Sequence, residues 1–262
     1  MKTKKILSII FIDLIIAYAA FVLFAYFCSD ALIFPAPTSH YQDTSRTIKL
    51  KTQDNILISA IYLPRKNAKY TILFSHGNAE DLETKMPFLK NLQKHGFAVF
   101  AYDYHGYGTS KGKPSEQNTY YDIDAAYNYL ITTLKIPPQK IIAYGYSLGS
   151  GPTVDLAARL PVAGVILEAP FVSTFRVMTH YPLLFFDKFA NLKKIARLRA
   201  PVLIMHGTKD RTVPFWHGAT LYQAAPMPKY FLRVKNAGHK NILDLAGDTY
   251  WKTINDFVIT LP

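Results

Sequence analysis

Apolar positions along this chain follow two patterns. Ile6 to Phe27 is almost continuously apolar, with Asp13 as its one charge. From Arg46 onward, short runs rich in Ile, Val, Phe and Tyr alternate with stretches of helical period. The runs predict strands over Arg46–Thr52, Asn55–Leu63, Tyr70–His76, Phe97–Asp103, Lys140–Tyr146, Ala163–Ala169, Pro201–Gly207 and Tyr230–Lys235. Helices are predicted over Glu83–His95, Glu116–Leu134, Leu148–Arg159, Trp216–Ala224 and Asp248–Ile259. Two early strands followed by strand–helix alternation imply an α/β fold. Its sheet is mostly parallel, eight-stranded and covered by helices on both faces. Phe171–Arg199 breaks the alternation and reads as a short lid crossing the sheet, carrying Phe171, Phe175, Tyr181, Phe185, Phe186 and Phe189. No internal repeat or low-complexity tract interrupts the pattern.

The first apolar stretch is long enough to span a bilayer. Its fourteen Ile, Leu, Val and Phe residues favour insertion by roughly 4–8 kcal/mol, against about 2.5–3.5 for a central Asp, and Asp13 lies off centre. A cleaved signal peptide fits less well, because the apolar region is long and no A-x-A site follows. Tyr26 and Phe27 are too bulky for a lipoprotein site at Cys28. The expectation is an uncleaved anchor over residues 1–28, a linker over 29–45 that includes "FPAPTSH", and a main folded body over 46–262. Lys2, Lys4 and Lys5 before the span place the N-terminus in the cytoplasm and the body on the opposite side of the membrane.

The formal charge of +12 over 262 residues permits anionic partners. Lys and Arg are nevertheless spread along the chain. With no zinc-finger spacing and no RNA-binding motif, nucleic acid is not an expected partner. Cys28 is the single cysteine, which excludes an internal disulfide and a thiolate metal cluster.

One stretch concentrates candidate chemistry: "AYGYSLGSGPT", Ala143–Thr153. Three readings compete: a phosphate cradle, a displayed nucleophile, and glycines for close packing. A phosphate loop needs G-x-x-x-x-G-K-[ST], and no Lys follows these glycines. Dinucleotide binding needs G-x-G-x-x-G, which the spacing does not match. Gly145-Tyr146-Ser147-Leu148-Gly149 does follow a strand and open a helix, the setting of a G-x-S-x-G nucleophile turn.

A nucleophilic serine needs a base, and the base an orienting acid, in the chain order Ser, Asp or Glu, His. Asp210 and His239 each follow a strand, at the same end of the sheet as Ser147. Glu168, at the end of its strand, is the second-choice acid, ahead of Asp187 in the lid. His206, His180 and His217 are weaker bases by position. For the oxyanion, the turn His76–Ala79 offers the N–H of Asn78, preferred over Ala79, and Leu148 offers the second. The turn-rich Asp103–Glu116 reads as a structural loop.

"HGNAEDL", "YDYHGYGTSKGKPSE", "DIDAAYNYL", "YGYSLGSGPTVDLAAR", "HGTKDRTVPFWHG" and "AGHKNI" together resemble one branch of the α/β-hydrolase superfamily. That branch holds the α/β-hydrolase domain-containing depalmitoylating enzymes and their bacterial relatives. The likeness runs from about Ile56 to the C-terminus. It implies an α/β-hydrolase fold, a triad of Ser147, Asp210 and His239, and an oxyanion loop at His76–Ala79. It also implies ester or thioester hydrolysis of acyl chains on small molecules, proteins or lipids, with no cofactor and no metal. The depalmitoylating enzymes reach membranes through an acylated, cysteine-rich N-terminus, whereas this chain has a hydrophobic span and one cysteine. A serine peptidase acting on short peptides and a non-catalytic membrane-tethered binding module are the alternatives.

Overall fold

The computed structural model describes residues 2–262 and divides after Pro35 into two units. The first is a single helix, α1 (Lys2–Ile33), with no Gly or Pro to interrupt it and Pro35 just beyond its end. Ile6, Phe11, Leu14 and Phe27 are exposed on it. Its apolar part, Lys4–Ile33, is long and apolar enough to cross a membrane. At 1.5 Å per residue it measures about 45 Å, against about 30 Å of hydrocarbon. The helix runs past residue 28, the expected end of the anchor, because Ser29–Ile33 contains no helix breaker.

The second unit, Ala36–Pro262, is built on one sheet. Its strands are β1 (Ile48–Lys51), β2 (Leu57–Leu63), β3 (Thr71–Ser75), β4 (Ala98–Tyr102), β5 (Ile141–Tyr146), β6 (Gly164–Glu168), β7 (Val202–Gly207) and β8 (Lys229–Val234). They lie in the order β1-β2-β4-β3-β5-β6-β7-β8. β2 is antiparallel to both neighbours, and β4, β3 and β5–β8 run parallel. The longer helices are α2 (Leu82–Lys94), α3 (Glu116–Thr132), α4 (Ser150–Arg159), α7 (Trp216–Ala224) and α9 (Asp248–Ile259). The short ones are α5 (Thr174–Met178), α6 (Asn191–Ile195) and α8 (Ile242–Ala246). The eight-stranded, mostly parallel sheet matches the sequence expectation.

Alternate residues of the central strands feed two separate cores. Ile166, Leu203 and Met205 pack with Leu89, Tyr250 and Phe257 on one face. Val165, Leu167, Val202 and Ile204 pack with Val154, Ile195 and Leu221 on the other. Burial on both faces is why these strands read as unbroken apolar runs.

Residues 36–45, expected within the linker, are bonded to the body. The His40 N–H donates to Asp81 Oδ2 at 2.9 Å and the Tyr41 hydroxyl to Asp103 Oδ2 at 2.5 Å. Residues 171–199, expected as a lid, divide in two. Phe171 and Phe189 are buried and meet edge to face, while Met178, Tyr181 and Phe185 are 87%, 72% and 83% exposed.

Candidate active site

β5 delivers Ser147 to a sharp turn. A 3₁₀ turn over Ser147–Gly149 separates β5 from α4, so the predicted helix starts two residues later than its pattern implied. Ser147 adopts φ +50°, in the left-handed region that costs an L-residue about 1–2 kcal/mol. The flanking glycines permit the turn. A Cβ on Gly145 would lie 2.5 Å from the Gly149 carbonyl oxygen, and one on Gly149 would lie 2.1 Å from that of Ser75.

The loops after β7 and β8 bring Asp210 and His239 to this turn. His239 Nε2 lies 2.9 Å from Ser147 Oγ, and its Nδ1 lies 2.7 Å from Asp210 Oδ2. Asp210 is buried, and its Oδ1 accepts the N–H groups of Thr212 and Val213 at 2.9 and 2.8 Å. Burial alone would raise the pKa of this carboxyl. Hydrogen bonds from His206 and His239, the charge of His239 and the Val213 N–H outweigh burial and hold it well below the usual carboxylate range. An ionised Asp210 fixes the proton of His239 on Nδ1 and leaves Nε2 free to accept the serine proton. Such a line of groups is suited to nucleophilic attack on a carbonyl.

The turn after β3 faces the same end of the sheet. The Asn78 Oδ1 accepts the Tyr107 hydroxyl and the Ala79 N–H, both at 2.9 Å, with Ala79 at φ +56°. The Gly77 N–H donates to Glu80 Oε2 at 2.8 Å, and the Tyr104 hydroxyl to the His76 carbonyl at 2.6 Å. The N–H groups of Gly77 and Ala79 are thus engaged within the loop. Leu148 follows the serine in the 3₁₀ turn.

Comparison with known proteins agrees with this architecture. Residues 66–192 match the protein family described as Hydrolase_4, serine aminopeptidase, S33. Alpha/beta hydrolase domain-containing protein 17B of Xenopus tropicalis is 46% identical over 197 residues, covering 73% of this chain and 67% of that protein. The protein of the same name from Homo sapiens is 45% identical over the same extent. The chain belongs to the α/β-hydrolase family. Among solved structures, an esterase of Pyrococcus furiosus shares the fold at TM-score 0.71 and 16% identity, covering 86% of this chain and 96% of that one.

The rival residues of this hydrolase are occupied elsewhere. Glu168 is buried, and its Oε2 accepts the hydroxyls of Tyr144 and, at 2.7 Å, Tyr250. Burial raises its pKa. Asp187 accepts the Ser173 hydroxyl at 2.6 Å and the N–H groups of Phe175 and Lys188. His217 Nδ1 accepts the Val172 N–H at 3.2 Å, and His180 packs on Trp216. In the turn-rich loop, His105 Nδ1 bonds Asp122 Oδ1 at 2.5 Å and Asp103 accepts the Leu82 N–H, both structural contacts. Among the described residues no cluster of three or more His, Cys, Asp or Glu side chains is arranged to hold a metal ion.

Some contributors escaped sequence reading. The Tyr146 ring lies 5.6 Å from that of His239, and its hydroxyl donates to the His239 carbonyl at 3.2 Å. Lys85 Nζ sits 4.2 Å above the same ring and pairs with Glu80 at 2.9 Å. Tyr107 braces Asn78 from a loop far along the chain. None of these residues carries a local signal, because each acts through a contact that only the closed sheet creates.

Proposed function

We propose that this hydrolase cleaves acyl esters or thioesters through an acyl-enzyme, with Ser147, His239 and Asp210 as its triad. His239 takes the Ser147 proton as Oγ attacks the carbonyl carbon, then gives it to the departing alcohol or thiol. Water repeats the cycle on the acyl-enzyme and releases the acid. Asp210 holds His239 in the working tautomer and stabilises its cation. The N–H groups of Asn78 and Leu148 receive the oxyanion. The observation that carries the reading is the unbroken line from Ser147 Oγ through His239 to Asp210, at 2.9 and 2.7 Å. Exposed Met178, Tyr181 and Phe185 on the lid favour a substrate with an acyl chain.

The proposal divides the chain into an anchor over residues 1–28 that spans the membrane with its N-terminus in the cytoplasm, a linker, and the catalytic domain with its lid at about 171–199 on the other side. The long apolar α1 and the lysines at its N-terminal end support this. A peptidase is the second reading, favoured by the description of the matched family. The test is hydrolysis of matched acyl thioester, acyl ester and aminoacyl-amide substrates by wild type and Ser147→Ala. Ser147-dependent turnover of thioester or ester is expected. Turnover of the amide alone would establish the peptidase instead.

A further inference from the structure

A second histidine stands against Asp210, beyond the one that faces Ser147. His206, in β7, is fully buried. Its Nε2 lies 2.8 Å from the carbonyl oxygen of Val213 and 3.3 Å from Asp210 Oδ2. Both neighbours are acceptors, so Nε2 carries the proton. Nδ1 is buried with no hydrogen-bond partner, walled off by α7: a Cβ on Gly218 would lie 2.4 Å from it. A second proton there would be a desolvated donor with nothing to bond. The geometry therefore keeps the proton of His206 on Nε2, with that N–H turned to the acid loop.

We infer that His206 is a positioning residue: its Nε2–H pins the Val213 carbonyl and braces Oδ2 of Asp210, holding the carboxylate where it turns His239 toward Ser147. The inference rests on the reading of Asp210 as the triad acid. The loop is then fixed from both sides, because Asp210 Oδ1 takes the N–H of Val213 while His206 takes the carbonyl of the same residue. The depressed pKa of Asp210 agrees: after burial, which opposes ionisation, the nearby His206 side chain heads the causes that favour it.

The ionisable groups around His206 are Asp210 of its own loop, His239 after β8 and His217 at the start of α7. Beyond His217 stands Arg176 of α5, and Arg233 of β8 lies over Phe215, whose ring meets His206 edge-on. Of these, only Asp210 lies within 3.3 Å of the Nε2–H as an anion. Loss of the brace leaves the full negative potential of Asp210 on His239, so the histidine keeps its proton to higher pH and the acid limb of kcat/KM moves upward.

The test compares wild type, His206→Leu, His206→Gln and Asp210→Asn on a p-nitrophenyl ester, with pH profiles and melting temperatures. His206→Leu is expected to lower kcat roughly ten- to a hundredfold with KM little changed. Its acid limb should rise by about half a pH unit, the size of one lost neutral hydrogen bond. His206→Gln, whose amide N–H reaches the same acceptors, should recover most of both. If the Leu variant does not fold, His206→Asn, too short to reach both acceptors, takes its place. A variant that melts earlier yet keeps wild-type kcat and acid limb would overturn the inference, as would a loss that Gln does not rescue. An Asp210→Asn enzyme as active as wild type would remove the triad reading itself, and this inference with it.

Discussion

His239 Nδ1 and Asp210 Oδ2 are 2.7 Å apart, and that contact decides which ring nitrogen faces Ser147. Asp210→Asn replaces an acceptor with an amide that can donate, and so stabilises the wrong tautomer. We expect kcat to fall by about 10⁴ with little change in KM. Steady-state kinetics on a soluble ester reads this directly.

Glu168→Gln should behave differently, because Glu168 bonds two tyrosines and not His239. Activity is expected to stay close to wild type while stability falls by about 1–2 kcal/mol, the size of a weakened buried hydrogen-bond network. Burial raises the pKa of Glu168 in the folded state. Its contribution to stability is therefore present below about pH 4.3, the unfolded value, and is lost as pH rises through the folded value. Denaturant melts across that range should show this slope in wild type and not in Glu168→Gln. A large loss of kcat would instead return Glu168 to candidacy as the triad acid.

His217 gives a slope of the opposite sign. Burial, reinforced by the charge of Arg176, lowers its pKa to about 3. Between about pH 6.5 and 3 the unfolded chain binds a proton that the folded protein refuses, so acidification destabilises the fold by about one proton's worth of slope. His217→Gln, which can still accept from the Val172 N–H, should flatten the pH dependence of the melting temperature in that window.

Tyr107→Phe removes one of the two donors on Asn78 Oδ1 and leaves the Ala79 N–H. The turn proposed to receive the oxyanion loosens without losing an N–H of its own. We expect kcat to fall about tenfold with KM nearly unchanged. A rise in KM at unchanged kcat would instead mean that the turn holds substrate and transition state alike.

The anchor is testable apart from the chemistry. An integral α1 keeps the protein in the membrane fraction through high salt and alkaline washes and releases it only to detergent. Release by salt alone would mean attachment through the basic surface.

Much of this was legible in the sequence. The central strands announce themselves because both faces are buried, so Ile141–Tyr144 and Val202–Met205 are apolar without a break. Ser147 stood out through its glycines, and Asp210 and His239 through their places after strands. By position alone His206 is only a weaker base, because its value lies in a 2.8 Å bond to a carbonyl seven residues on. The lid aromatics could not be sorted by type: Phe189 is buried and Phe185 exposed, a difference that depends on which ring meets the body. Short α5, α6 and α8 carry too few residues for a helical period to show.

The central claim is that Ser147 forms the covalent intermediate. Intact-protein mass spectrometry after treatment with a fluorophosphonate tests it most directly. One adduct is expected, mapped to Ser147, absent from Ser147→Ala and formed about 10³-fold or more slowly in His239→Ala. Folded wild type that takes up no label, or Ser147→Ala labelled as fast as wild type, would contradict it.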